Sequence, residues 1–404
     1  MTGFDYAIRT ATIQDFTAVI NRFTTAMMVS DNTTELDREL FEPDRTLVAE
    51  DAGSIVGVAQ AFTRTLSVPG TVSPAAHVTG VAVAATHRRM GILSRIMRRQ
   101  LAEVPEPVAV LWASQPGIYE RFGYQASVYG HRFEAKLAEI RLTKAPVEGR
   151  LCELSVEQAA SELPPILKRL QLDRPGVSGR SDQLWKQRLA DPPERRDGRM
   201  PRQLIGYRSP EGDLEGYVFW RGTRQRGSDD GGNTVEVEEL VAATGSAYRA
   251  LWQHVLTMDL ATRLVSWHAA VDEPVRQLVG NPRALGVRSY DALWLRIVDV
   301  AAALAQRRYA CAVDVVLEVS DDILPANNRR FRLTGDRSTA SCVETGDEPD
   351  LSLSVAELSG VYLGGRRLTE YAAVGRVHEH REGALAEVTT AMGWPVAPRS
   401  IEVF

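Results

Sequence analysis

Val81-Ala82-Val83-Ala84-Ala85-Thr86-His87-Arg88-Arg89-Met90-Gly91-Ile92-Leu93 reads as a strand of small and β-branched residues, a basic turn and the start of a helix. Apolar residues continue at Ile92, Leu93, Ile96, Met97 and Leu101, the period of an amphipathic helix. A strand that splays at small residues leaves backbone N–H groups free. The turn adds further N–H groups, the positive end of the helix dipole and the guanidinium groups of Arg88 and Arg89, a combination that suits a pyrophosphate. Gly91 has a reason to be glycine, because a Cβ there would keep the backbone from the phosphates. The plain alternative is a solvated basic helix start.

Upstream, Tyr6 to Arg9 is extended, and Thr12 stands three residues before Asp15 as a capping box. Phe16, Val19, Ile20, Phe23 and Met27 then recur at helical spacing. Leu47 to Glu50 and Ile55 to Phe62 follow as short strands around the turn Asp51-Ala52-Gly53. Downstream, Val108 to Trp112 is an apolar strand, Pro116-Gly117 ends it, and a short helical piece closes at Phe122-Gly123. The segment Ile118-Tyr119-Glu120-Arg121-Phe122-Gly123-Tyr124 holds two phenols competing for one role. A phenol with a pKa near 10 stays protonated at neutral pH and can act as a general acid, and each ring has the alternative of simple packing.

Ser155 to Pro201, with Pro164-Pro165 and Pro192-Pro193, predicts short helices joined by turns. Leu214 to Trp220 and Thr234 to Ala242 read as strands, and the Gly/Asp/Arg-rich loop between them as mobile. A helix from Tyr248 to Thr262 follows, so strand and helix repeat the earlier pair, with Thr244-Gly245-Ser246-Ala247 where the basic turn was. From Val298 the texture changes to extended segments, Ala312 to Val319, Arg329 to Thr334, Ser338 to Glu344 and Leu351 to Leu353, with helices at Val355 to Leu363 and Gly383 to Gly393. These predict three domains, 1–135, 136–297 and 298–404, of α/β, degenerate α/β and α+β type.

The 404 residues, 44% hydrophobic and 25% charged, have the composition of a globular chain. No apolar run reaches the roughly 20 residues of a membrane span, and Met1 to Thr10, with Asp5 and Arg9, has no signal-peptide character. Cys152, Cys311 and Cys342 are scattered and lack a Cys-x-x-Cys pair, which argues against disulfides or a thiolate metal site. The expectation is a cytoplasmic protein without a metal. A net charge of -5 gives no attraction to nucleic acid or anionic membrane and mildly favours cationic partners. His378-x-His380 lacks a third ligand and reads as surface. Trp112 could flank a substrate channel, and no Ser-His-Asp or Cys-His set recommends a covalent intermediate.

Arg88-Arg89-Met90-Gly91 resembles the first four positions of the coenzyme A signature Gln/Arg-x-x-Gly-x-Gly/Ala of the GCN5-related N-acetyltransferase (GNAT) superfamily, with Leu93 departing from the last. Tyr119 to Tyr124 resembles its second motif, Phe-Tyr-x-x-x-Gly-Phe. Thr86-His87-Arg88-Arg89 and Arg121-Phe122-Gly123-Tyr124 are similar, within it, to the enhanced intracellular survival (Eis) family of actinobacterial acetyltransferases. The resemblance implies tandem GNAT folds, the second degenerate, followed by a sterol-carrier-protein-like α+β domain. It also implies acetyl-CoA as co-substrate, contacted by Val81, Ala82, Val83, Arg88, Arg89, Met90, Gly91, Ile92, Leu93, Ser94, Tyr119 and Glu120.

The same resemblance makes Tyr124 the general acid and the α-carboxylate of Phe404 the general base, in direct transfer to a small-molecule amine. Multi-amine antibiotics such as aminoglycosides, or lysine side chains, are the implied acceptors, and a homohexamer the implied assembly. Asp31, Glu35, Asp37 and Glu402 are candidates, by position, for an acidic acceptor pocket. The contrasting possibility is a lipid- or CoA-binding protein on a non-catalytic acetyltransferase fold.

Overall fold

In the computed structural model, which describes residues 6–143, 148–224 and 232–404, turn chemistry lays out the first sheet. β1 (Ala7–Thr10) pairs antiparallel with β2 (Thr46–Asp51), and β2 with β3 (Ser54–Val68). Between β2 and β3, Ala52 and Gly53 both take positive φ, 48° and 76°, as a tight two-residue hairpin requires. β3 runs well past the predicted Phe62 and turns at Pro69-Gly70 into β4 (Thr71–Val83). The Pro-Gly pair was the available signal for this longer hairpin.

β5 (Val108–Trp112) runs parallel to β4, and β6 (Gln125–Ala126) closes the sheet. Between β5 and β6 lies a strand from much later in the chain, Leu293–Ile297, antiparallel to both. The helix Phe16–Met27 starts after the Thr12–Asp15 capping box and buries Phe16 and Val19 with Val48, Val58 and Ala82. The helix Ile92–Glu103 buries Ile92, Ile96, Met97 and Leu101, roughly 1.5–3 kcal/mol for each large side chain.

A second seven-stranded sheet takes β7 (Tyr129–Lys136), β8 (Arg150–Glu153), β9 (Gln203–Arg208), β10 (Leu214–Arg224), β11 (Asn233–Ala242), β12 (Ala261–Ala270) and β13 (Arg288–Asp291), in the order β13-β7-β12-β11-β10-β9-β8. The helix Gly245–Leu256 links β11 to β12. Ala261 and Thr262, expected to end that helix, instead begin a strand buried at Leu264 and Ser266. The Gly/Asp/Arg-rich loop expected before β11 lies, at 225–231, outside the described residues.

The prolines of the middle region mislead. One helix, Val156–Asp173, carries both Pro164 and Pro165 inside it. Ser155 and Gln158 cap its start, and Ala159, Leu163, Ile166 and Leu167 are buried in one apolar cluster. That burial offsets the roughly 3 kcal/mol or more that an interior proline costs.

Charge, too, is buried in this sheet. Arg180 is bidentate to Glu239 at 2.9 and 2.7 Å and reaches Glu402 at 2.6 Å, while Tyr217 Oη donates to Glu239 at 2.6 Å. Burial works against the Glu239 carboxylate, but Arg180 and Arg188 overcome it and bring its pKa down to about 2. Ile401 joins the apolar cluster of the Val156–Asp173 helix, and the Arg399 guanidinium donates to the His268 carbonyl at 2.7 Å.

β14 is the strand Leu293–Ile297 that completed the first sheet. A five-stranded sheet of order β17-β16-β15-β18-β19 follows, from β15 (Val313–Ser320), β16 (Arg329–Gly335), β17 (Ala340–Glu344), β18 (Leu351–Ser354) and β19 (Val377–Glu379). His380, just past β19, has Nε2 2.7 Å from Ser352 Oγ.

The chain sorts into two compact units. One holds the described residues of Met1–Ser127 with Leu293–Pro395 and Phe404, the other those of Val128–Ala292 with Val396–Val403. Among the described residues no helix is long and apolar enough to cross a membrane.

Candidate active site

β4 changes register against β3 just before the basic turn: Gln60 faces Thr79 and Val58 faces Ala82, so Gly80 and Val81 share one partner position. This is a β-bulge on β4. Gly80 holds φ +61°, and a Cβ there would lie 2.2 Å from Gln60 Nε2, so a side chain is excluded by both conformation and space. Pairing between β4 and β5 is confined to Ala76–Ala109 and His77–Val110, although β4 continues to Val83. The strands therefore part beside Val81, Ala82 and Val83.

After β4, the turn is braced by His87, whose Nε2 is 3.0 Å from Asp51 Oδ2 and whose Nδ1 is 2.7 Å from Thr86 Oγ1. Gly91 then starts the Ile92–Glu103 helix at φ 82° with no side-chain cap. Around the position of its missing Cβ the nearest atom is Tyr6 Oη at 3.9 Å. Glycine is thus required here by the left-handed backbone more than by crowding. The helix start has no side-chain cap and stands beside the exposed Arg88 and Arg89, which is the arrangement an anion binds.

A cleft of about 690 Å³ opens at this point. Val81, Ala82, Val83, Arg88, Arg89, Gly91, Ile92, Leu93, Ser94 and Tyr119 line it. Four other candidates do not: Met90 packs into the apolar cluster under the helix, Glu120 is exposed in the turn Glu120–Phe122, Tyr124 is fully buried against Tyr119, and Phe404 lies at Thr79. Ser114, Gln115, Met27 and Met28 also line the cleft, and nothing in the sequence singled them out.

Tyr119 and Tyr124 meet edge to face, ring centres 6.1 Å apart. Burial raises the Tyr119 phenol, and a hydrogen bond with Ser114 opposes the rise. Tyr124 is fully buried behind no other hydroxyl partner: its Oη has no hydrogen bond among the described residues. Burial pushes this phenol well above its ordinary value, Arg296 acting against the rise and Tyr119 with it.

Phe404 lies at β4. Thr79 Oγ1 donates to the Phe404 terminal oxygen at 3.0 Å, and Thr79 immediately precedes the bulge. The Phe404 ring is 4.6 Å from the His77 imidazole, with the Arg64 guanidinium 5.7 Å above it. Thus Phe404 is brought to the same stretch of β4 as Val81.

The acidic candidates do not gather at the cleft. Asp31 accepts from the Thr33 N–H and hydroxyl, Asp37 caps the helix begun at Thr34, Glu35 is exposed, and Glu402 pairs with Arg180 in the second unit. Trp112 ends β5 opposite Leu293. Among the described residues no group of three or more His, Cys, Asp or Glu could hold a metal ion.

The chain matches the acetyltransferase (GNAT) domain families over residues 7–127 and 176–297 and the sterol carrier protein domain family over 300–399. An uncharacterized N-acetyltransferase of Streptomyces coelicolor is 41% identical over 374 residues, 90% of each chain. N-acetyltransferase Eis of Mycobacterium tuberculosis is 32% identical over 357 residues, 84% of each chain. The crystal structure of Eis1 from Mycobacterium abscessus superposes with a TM-score of 0.83 at 31% identity, over 98% of this chain and 100% of that one. A GCN5-related N-acetyltransferase from Anabaena variabilis shares the fold at 17% identity, with a TM-score of 0.86 over 99% of this chain and 100% of that one.

Proposed function

This chain belongs to the Eis family of GNAT acetyltransferases, and from that premise we propose that it transfers acetyl from acetyl-CoA to a primary amine of a multi-amine substrate, aminoglycosides being the leading class. The observation that carries the mechanism is the buried, partnerless hydroxyl of Tyr124, whose ring packs edge to face against Tyr119 of the cleft lining. A buried phenol without a partner is costly, and proton donation to a leaving group is a use for it.

In this reading acetyl-CoA supplies an activated thioester. The uncapped helix start at Gly91, with Arg88 and Arg89, binds its phosphates, and backbone N–H groups of Val81 to Val83 polarise the acetyl carbonyl. The Phe404 carboxylate takes a proton from the substrate ammonium, directly or through water, so that the free amine can add to the acetyl carbon, Thr79 holding one Phe404 oxygen. Tyr124 protonates the departing thiolate. Residues 1–135 carry this chemistry, 136–297 form an acetyltransferase domain without a cofactor loop, and 298–404 provide the terminal base; the assembly is a homohexamer, which light scattering would test.

A thiol-release assay with acetyl-CoA and an aminoglycoside panel tests the proposal on wild type, Tyr124→Phe, Tyr119→Phe and a Phe404 deletion. We expect turnover in wild type, a loss of roughly 10²-fold or more in kcat for Tyr124→Phe and for the deletion, and a smaller loss for Tyr119→Phe. Coenzyme A binding without thiol release toward any amine would favour a binding protein instead.

A further inference from the structure

Arg296 is the charged residue in the otherwise apolar strand β14, Leu293-Trp294-Leu295-Arg296-Ile297, and it is fully buried. β14 pairs with β6 at Leu295 and Gln125, so the next step along the register brings Arg296 beside Tyr124. Its side chain lies against Gly123, where a Cβ would come 2.8 Å from Nη1.

The guanidinium is anchored from one side. Nη2 donates to Asp321 Oδ2 at 2.5 Å. Asp321 is itself fixed, taking hydrogen bonds from the Ile323 and Leu324 N–H groups at 2.9 and 3.1 Å and from Asn327 Nδ2 at 2.8 Å. Nε and Nη1 of Arg296, by contrast, have no partner among the described residues. A buried ion pair with two idle donors is weak evidence for stability, since apolar residues of the same volume often serve as well. A fixed positive charge beside a phenol has another use.

We propose that Arg296, held in place by Asp321, is a positioning residue for acetyl transfer whose charge favours the phenolate that Tyr124 becomes when it protonates the leaving thiolate. The inference rests on Tyr124 being the general acid. Tyr124 Oη passes its proton to sulfur as the acetyl carbon–sulfur bond breaks and sulfur keeps the electron pair. Free thiol leaves, and the phenolate persists until a proton returns from solvent. Without a nearby cation, burial would make that phenolate prohibitively unfavourable.

The titratable groups facing the phenol are few. Arg296 and Tyr119 act on it directly; Glu120 and Arg121 are exposed; β5 carries none. The helix Val355–Val361, packed against β6 and β14, contributes Glu357, which Arg376 engages at 2.5 Å.

The test incorporates 3,5-difluorotyrosine, a more acidic phenol whose phenolate absorbs separately, at Tyr124 in the full-length protein and titrates it into the alkaline range. In Arg296→Met its pKa should rise by roughly one unit or more, in Arg296→Lys it should stay near the parent, and in Asp321→Asn it should fall, because the compensating negative charge is gone. A pair that is merely structural gives shifts of the same direction from either side, or none, and that result overturns the inference. With ordinary tyrosine, Arg296→Met should lose about tenfold in kcat with KM for acetyl-CoA unchanged within about twofold. If Arg296→Met does not fold, the lysine and asparagine variants still give the direction. Full activity in Tyr124→Phe would remove the general-acid reading, whereas an unshifted titration alongside an inactive Tyr124→Phe removes only this one.

Discussion

In the first sheet β4 leads through Gly91 into the helix Ile92–Glu103; in the second, β11 leads through Thr244 into the helix Gly245–Leu256. Thr244 Oγ1 accepts from the Ala247 N–H at 3.2 Å and donates to Glu215 at 2.7 Å, so the second helix satisfies its own first turn. Gly91 offers no such oxygen. The bulge repeats as well. On β11, Glu238 is the extra residue between Val237 and Glu239, which pair with Trp220 and Phe219; on β4 the bulge is Gly80 and Val81. Glu238 is clamped by Arg202 at 2.7 Å and Arg221 at 2.5 Å. The same two irregularities are scaffold in the second sheet, where side chains fill them, and in the first, where no side chain caps the helix, they form the cofactor site proposed above.

The comparison can be strained from both sides, and the largest effect should come from the filled copy. Arg180→Met takes the bidentate partner from buried Glu239, leaving it Arg188 and Tyr217, and denaturant unfolding should show a loss of about 3 kcal/mol or more. Next in size is the acid sensitivity of the same unit. Burial, reinforced by Arg399 and Arg188, holds His268 down to about 4, against about 6.5 in the unfolded chain. Above pH 6.5 both states are neutral and the site contributes nothing; between 6.5 and about 4 only the unfolded chain takes up the proton. Stability should therefore fall across that window by on the order of 3 kcal/mol, and His268→Gln should flatten the dependence of Tm on pH there.

Closing the open copy should cost affinity. Gly91→Asp places a carboxylate at the uncapped helix start and a side chain at positive φ, so KM for acetyl-CoA should rise at least about tenfold. Opening the closed copy is the smallest change. Thr244→Ala should lose about 1 kcal/mol of stability, and calorimetry should detect no coenzyme A binding there, because Glu238 remains clamped in the bulge. Binding gained by that variant would mean that the cap alone separates the two copies.

Local patterns explain which parts of this were readable in advance. The Thr12–Asp15 cap, the periodic helix after Gly91 and the turn at Phe122-Gly123 are written in adjacent residues, and each is where the sequence places it. The middle region was harder because tertiary burial overrides propensity: Pro164-Pro165 sit inside a helix whose apolar face is covered. At the site, Gly80 carried a signal, an isolated glycine in a strand pattern, whereas Ser114 and Met28 line the cleft through backbone path alone. Arg296 was not singled out by the sequence, where its one signal is a charge in an apolar run, and its relation to Tyr124 depends on a pairing between distant strands that no local pattern encodes.

That pairing also sets an order of events. Until Leu293–Ile297 has left the ribosome, β5 and β6 have no strand between them, and all seven strands of the second sheet are synthesised first. The first sheet to begin emerging is thus completed only after the second, an arrangement of long-range contacts that folds slowly and leaves strand edges exposed in the meantime. A nascent chain stalled short of residue 293 would hold the bulge, the basic turn and both tyrosines, yet lack the strand that joins them into one sheet.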